Sequence, residues 1–173
     1  DATLSDETTS SQSLIFVGGS MIVTGTTVDL RRPMTVNGTL TIASDGRVHT
    51  TSVALKTGAM LMNGELHIDF GTVVTTGDVS IVGDVVLNGK AEVNGDLDIV
   101  GNVVLNGKAE VNGDLDIDSS GTLTHDLTAD KAKTIELTVT GRLTIEKGGT
   151  INANRKSNAA STDANLWSAG YGG

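Results

Sequence analysis

A chain of 173 residues that is 38% hydrophobic, with a mean hydropathy of +0.02, holds enough apolar material for one continuous core. Only 2% of it is aromatic, against 22 Gly and a single Pro, so that core must be narrow and aliphatic. A formal charge of −9 without a basic run excludes nucleic acid as a partner, zero Cys removes disulfides and thiolate chemistry, and no stretch reaches the roughly 18 apolar residues of a membrane span.

In chain order, residues Asp1 to Ser13 are polar and strandless, either a cap over the first coil or a loose arm. The opening on Asp1, with no basic-then-apolar leader, suits a processed exported protein. From Asn37 a six-residue beat sets in, x-Gly-x-apolar-x-apolar: Asn37 to Ile42 reads NGTLTI, Thr57 to Met62 TGAMLM, Asn63 to Ile68 NGELHI. From Thr76 to Ile117 the hexads run without a break, and Gly83 to Ile99 recurs at Gly101 to Ile117 with only Asp84 changed, to Asn102. The two copies are 18 residues apart, three hexads to a period. Extra residues at Ala43 and Ser44, at Asp69, and at Asp118 and Ser119 predict bulged corners. The rhythm breaks from Asp126 to Lys133, a surface loop, and returns in Thr140 to Ile145 (TGRLTI). Asn154 to Gly173, with Trp167 and Tyr171 among small polar residues, is a cap or a junction.

Within each hexad the fourth and sixth positions alternate with a variable fifth, so Val85 with Leu87, or Leu97 with Ile99, share one side of a short strand. Glycine at the second position, often after Asn, predicts a corner with positive φ. Three bends per 18 residues close a triangular prism whose coils stack about 4.8 Å apart. The fold expected is therefore all-β: a parallel β-helix, right-handed, of roughly seven coils over residues 14–153. Its narrow interior accounts for the missing aromatics.

Stacking the periods brings candidate chemistry into line. Asp78, Asp96 and Asp114 fall at the third position of one face, with Ser80, Asp98 and Asp116 at the fifth. Like charges one rung apart repel unless screened or bridged, so this face is either a solvated acidic surface or a calcium site, calcium being the one cofactor suggested. On the adjacent face Lys90, Glu92, Lys108 and Glu110 predict diagonal ion pairs that serve solubility and register. His49 and His67 are also 18 apart, with Asp69 nearby. Two imidazoles and a carboxylate suit a metal or a proton-transfer pair, but regular rungs without long loops favour plain outward strand residues. His125 falls at an inward or corner position. Thr39 with Thr41 and Thr122 with Thr124 do not make the continuous Thr rank an ice-ordering surface needs, and Val86 with Val104 form a small apolar stripe.

The hexads resemble several β-helical families. Left-handed hexapeptide acyltransferases share the six-residue step but place the small residue directly after the inward aliphatic, whereas here Asn intervenes, as in Val93-Asn94-Gly95. Bactofilins, cytoplasmic β-helices that polymerise end to end, share the Gly-punctuated short rungs. The TVNGTLTI and GRLTIEKGGTINAN stretches and the Gly-rich tail resemble exported bacterial β-helix proteins of the adhesin type. That resemblance implies a secreted or cell-surface rod without catalytic residues, with surface polysaccharide or protein as its partner; the bactofilin resemblance implies end-to-end or lateral association with further copies.

Overall fold

The computed structural model describes residues 14–126 and 135–153; the expected N-terminal arm, most of the Asp126 to Lys133 loop and the C-terminal tail lie outside them. The described residues form no helix, and hence none long and apolar enough to cross a membrane. All the named strands pair in parallel. The chain is a β-solenoid.

The first rung is β1 (Ile15–Val17), β2 (Met21–Val23) and β3 (Thr27–Leu30). In the next two, two sides run together as one long strand: β4 (Met34–Ile42) then β5 (Arg47–Thr51), and β6 (Ala54–Met62) then β7 (Glu65–Asp69). The regular rungs come next: β8 (Thr72–Thr75), β9 (Val79–Ile81), β10 (Asp84–Leu87); then β11 (Lys90–Val93), β12 (Leu97–Ile99), β13 (Asn102–Leu105). After them come β14 (Lys108–Val111), β15 (Leu115–Ile117), β16 (Thr122–Thr124), and last β17 (Glu136–Val139), β18 (Leu143–Ile145), β19 (Thr150–Asn152).

Three ladders result, consistent with a triangular section. One runs β3-β5-β7-β10-β13-β16-β19; the other two, headed by β1 and β2, merge through β4 and β6 into a 12-stranded sheet. The first is a 7-stranded sheet, so the described residues complete six turns from first rung to last. The 18-residue register holds through the duplication, where Val85 faces Val103 and Leu97 faces Leu115. Beyond residues 127–134 it is offset by a further ten residues, Lys108 facing Glu136 and Leu115 facing Leu143, and the same ladders continue.

Alternation buries the expected positions: Val85, Leu87, Val93, Leu97, Ile99, Leu115 and Ile117 join one apolar core running from Met21 to Leu123. Inward Ala91 and Ala109 line an apolar cavity of about 70 Å³ inside it. Where two extra residues occur, the corner closes as a turn, Gly46 N–H donating to Ala43 O and Gly121 N–H to Asp118 O, each at 2.8 Å. At the other bulge the extra residue is Phe70 rather than Asp69. Asp69 continues β7 and pairs with Thr51, while Phe70 and the residue stacked on it, Ser52, take φ of 55° and 56°.

The hexad glycines correct a second expectation. Among the described residues only Gly25 and Gly148 are glycines with positive φ. The glycines at the second hexad position serve close approach: a Cβ on Gly113 would lie 2.5 Å from Gly95 O, and one on Gly58 2.5 Å from Asn37 O. Rungs stacked at sheet spacing leave no room for a side chain there.

Candidate functional site

The outward faces are occupied by interactions between successive coils. On the acidic face each third-position carboxylate accepts the peptide N–H of the next coil: Asp96 N–H donates to Asp78 Oδ1 at 3.0 Å, Asp114 N–H to Asp96 Oδ1 at 2.8 Å, and Arg142 N–H to Asp114 Oδ1 at 2.7 Å. Ser20 Oγ does the same for Thr39 N–H at 3.1 Å. Arg142 also pairs with Asp114 through its guanidinium at 2.9 Å, and its backbone and side-chain bonds hold the Asp114 carboxyl below the usual carboxylate range. The repeated Asp is thus a peptide acceptor, a role that charge pattern alone did not suggest.

The fifth-position acids differ. Asp98 and Asp116 face each other directly across β12 and β15. Burial, then the like charges of Asp116, Asp96 and Asp78, push the Asp98 carboxyl up. A neutral side chain there would remove both the desolvation of the charge and the repulsion.

Asparagines at the first hexad position stack as an amide ladder: Asn106 Nδ2 donates to Asn88 Oδ1 and Asn112 Nδ2 to Asn94 Oδ1, both at 2.8 Å. On the next side Lys90 bridges to Glu110 at 3.2 Å and Lys108 to Glu136 at 3.1 Å, diagonally, because like residues sit directly opposite one another. The expected diagonals are present, and being solvated they contribute little to stability.

One outward line gathers chemistry that this stacking does not absorb. Asp29, His49 and His67 occupy successive rungs of β3, β5 and β7, and the line continues through half-buried Val86 and Val104 to Thr124. The imidazoles meet edge-on, centroids 5.2 Å apart at 72°. Asp69, at the end of β7, reaches both: Oδ2 is 3.2 Å from His49 Nε2 and Oδ1 is 3.0 Å from His67 Nε2. Asp29 Oδ1 lies 3.3 Å from the other nitrogen of His49, and Asn88 Nδ2 donates to Asp69 Oδ1 at 2.6 Å. The bond to Asp69 raises the His49 pKa above its ordinary value; burial opposes it, and the bond to Asp29 and the charges of both carboxylates keep the net direction upward. At Asp69, burial is outweighed by the bond from Asn88, by His49 and by His67, and the net direction is down.

Among the described residues, His49, His67 and Asp69 are the group whose ligand atoms all lie within 4.8 Å of one another. The 18-residue spacing of the histidines was legible in the sequence. Asp29 and Asn88 were not, because corner insertions put Asp29 20 residues from His49 and Asn88 19 residues from Asp69. His125 is buried and inward, its Nδ1 3.3 Å from Asp126 O. The two Thr pairs fall on different ladders, β4 and β16, and share no face.

Comparison with protein-family models, with curated proteins and with solved structures finds no match.

Proposed function

We propose that this solenoid is a non-catalytic structural element, a rod or stalk segment secreted or held at a cell surface. The observation that carries the reading is the use made of the outward polar side chains. Asp78, Asp96, Asp114, Asn88, Asn106, Asn94 and Asn112 all bond to the coil before or after their own. Each coil interacts with its neighbours, so adding one lengthens the rod without changing any local contact. β-Helical enzymes wall their clefts with long loops, whereas the corners of the duplicated coils here are two or three residues long.

A second reading, a scaffold that stacks end to end, is favoured by the last rung. Leu143 and Ile145 continue the inward positions of Leu115 and Ile117, yet they are 46% and 44% exposed where the latter are 0%. An uncovered rung presents both unpaired backbone and core side chains.

Light scattering on the purified chain, first with calcium and then with chelator, separates the readings. A monomer in both supports the rod. Calcium-independent polymers replace it with the stacking scaffold, and association that needs calcium moves the function to a calcium-dependent adhesion face at Asp98 and Asp116. Surface proteolysis of intact source cells tests the location: a protected chain refutes it.

A further inference from the structure

We infer that His49, His67 and Asp69 form a binding site for a borderline divalent transition-metal ion, Zn²⁺ above all, which ties two successive coils together. The site stands independently of where the rod is displayed.

Geometry is the first support. A tetrahedral ion with bonds of about 2.0–2.1 Å holds its ligand atoms roughly 3.3–3.4 Å apart. The two imidazole Nε2 atoms lie 3.2 and 3.0 Å from separate oxygens of Asp69, and one ligand atom from each residue falls within 4.8 Å of the others, so side-chain rotations that close the set bring three ligands around one centre. Ligand chemistry is the second. Two imidazoles and a carboxylate suit zinc and its neighbours in the transition series, while calcium and magnesium prefer an all-oxygen set. The side chains are 40%, 38% and 28% exposed, which leaves a fourth position open to water.

The decisive feature is what surrounds the ligands. His49 has a carboxylate against each ring nitrogen, Asp29 at Nδ1 and Asp69 at Nε2. A metal-bound His49 is neutral and keeps one N–H; with Nδ1–H given to Asp29, the Nε2 lone pair points at Asp69, and an ion seated between Nε2 and Asp69 takes the place of the bridging proton. A carboxylate behind a histidine ligand is the arrangement that fixes tautomer and ring orientation in metal sites. On the other side Asn88 holds Asp69, and Asn106 in turn holds Asn88, so the orientation of the ligating carboxylate is tied to the amide ladder. Asp29 and Asn88 are positioning residues.

His49 comes from β5, and His67 and Asp69 come from β7, the rung stacked on it. An ion here cross-links neighbouring coils, and binding that favours the folded chain raises its unfolding temperature.

The test is titration of the whole chain with Co²⁺, followed by visible absorption and then by displacement with Zn²⁺, with thermal melts alongside. Expected are one ion per chain, the d–d bands of a four-coordinate site, and a melting temperature that rises with Zn²⁺ and falls back with chelator. H49Q and H67Q, which keep a hydrogen-bonding side chain of similar reach, should each lose the bands while circular dichroism stays unchanged. D29N should retain the one-to-one stoichiometry but weaken affinity about 10–100-fold. D98N, on the acidic face, should bind as the parent does. The inference is overturned if no saturable binding occurs with Zn²⁺ in large excess over protein, or if H49Q and H67Q bind as tightly as the parent chain.

Discussion

Two threonines one coil apart give a paired test of the packing. Inward positions at the ends of one ladder carry Val36, Thr57, Thr75, Val93, Val111 and Val139 in direct register. Thr57 and Thr75 are 3% and 0% exposed. The Thr57 hydroxyl donates to Ala59 O at 2.7 Å, but the Thr75 hydroxyl has no partner among the described residues. A buried hydroxyl left unpaired costs about 1–3 kcal/mol. Thr75→Val removes that cost, puts a methyl among apolar neighbours, and makes the position match Val93 and Val111. We expect a stabilisation of about 1–3 kcal/mol. Thr57→Val instead gives up a made hydrogen bond worth about 0.5–1.5 kcal/mol, partly offset by the methyl, so it should be neutral to mildly destabilising. Urea denaturation of both variants reads the difference directly, and each kcal/mol should move Tm by about 2–4 °C for a chain of this size. A loss of stability in Thr75→Val, or an equal gain in both variants, would overturn the assignment, since it would mean that the two hydroxyls have equivalent surroundings in solution.

Three further outcomes are expected from the same geometry. Gly101→Ala places a Cβ against the carbonyls of Gly83 and Val82 in the coil beneath, and should cost at least about 1–3 kcal/mol by denaturant melt, whereas a neutral result would show that the rungs can separate there. Asp98→Asn bears on pH. A carboxyl whose folded pKa is raised above the ordinary 3.8 binds its proton more tightly when folded, so its contribution opposes folding above the folded pKa and vanishes below about 3.8. The variant should therefore be more stable than the parent at pH 7 and equal to it at about pH 3; an advantage that persists in acid would rule out charge repulsion as the cause. Lys90→Ala should lower stability only slightly, with the loss shrinking in salt, and a large, salt-independent loss would show that its stem, not its charge, matters.

The hexad rhythm made the fold legible because burial is periodic: Val85 with Leu87 and Leu97 with Ile99 face inward as alternation requires. What it concealed was why the other positions are as they are. Gly95 and Gly113 read as corner residues needing positive φ, when the constraint is the neighbouring coil, which a single strand of letters does not display. Asp96 and Asp114 read as a charge problem, yet each is fixed by a peptide N–H one coil on. At the candidate site the fixed 18-residue spacing found His49 above His67 but missed Asp29 and Asn88, because the corner insertions between them shift the count. Phe70 hid for the same reason: one extra residue at a corner can be assigned to either neighbour until the pairing of Asp69 with Thr51 decides it.

The modular rod is tested most sharply by removal of one coil. Deleting Gly83 to Val100 joins Val82 to Gly101, takes out β10, β11 and β12, and brings β13 onto β7 in the register β10 now holds. Asn106 then occupies the place of Asn88 beside Asp69. Equilibrium denaturation followed by circular dichroism should show a folded chain with a single cooperative transition and a smaller denaturant slope, in keeping with the surface removed. A deletion variant that is unfolded, or that melts without cooperativity, would contradict the view that each coil depends on its neighbours alone and that the chain is a rod of variable length.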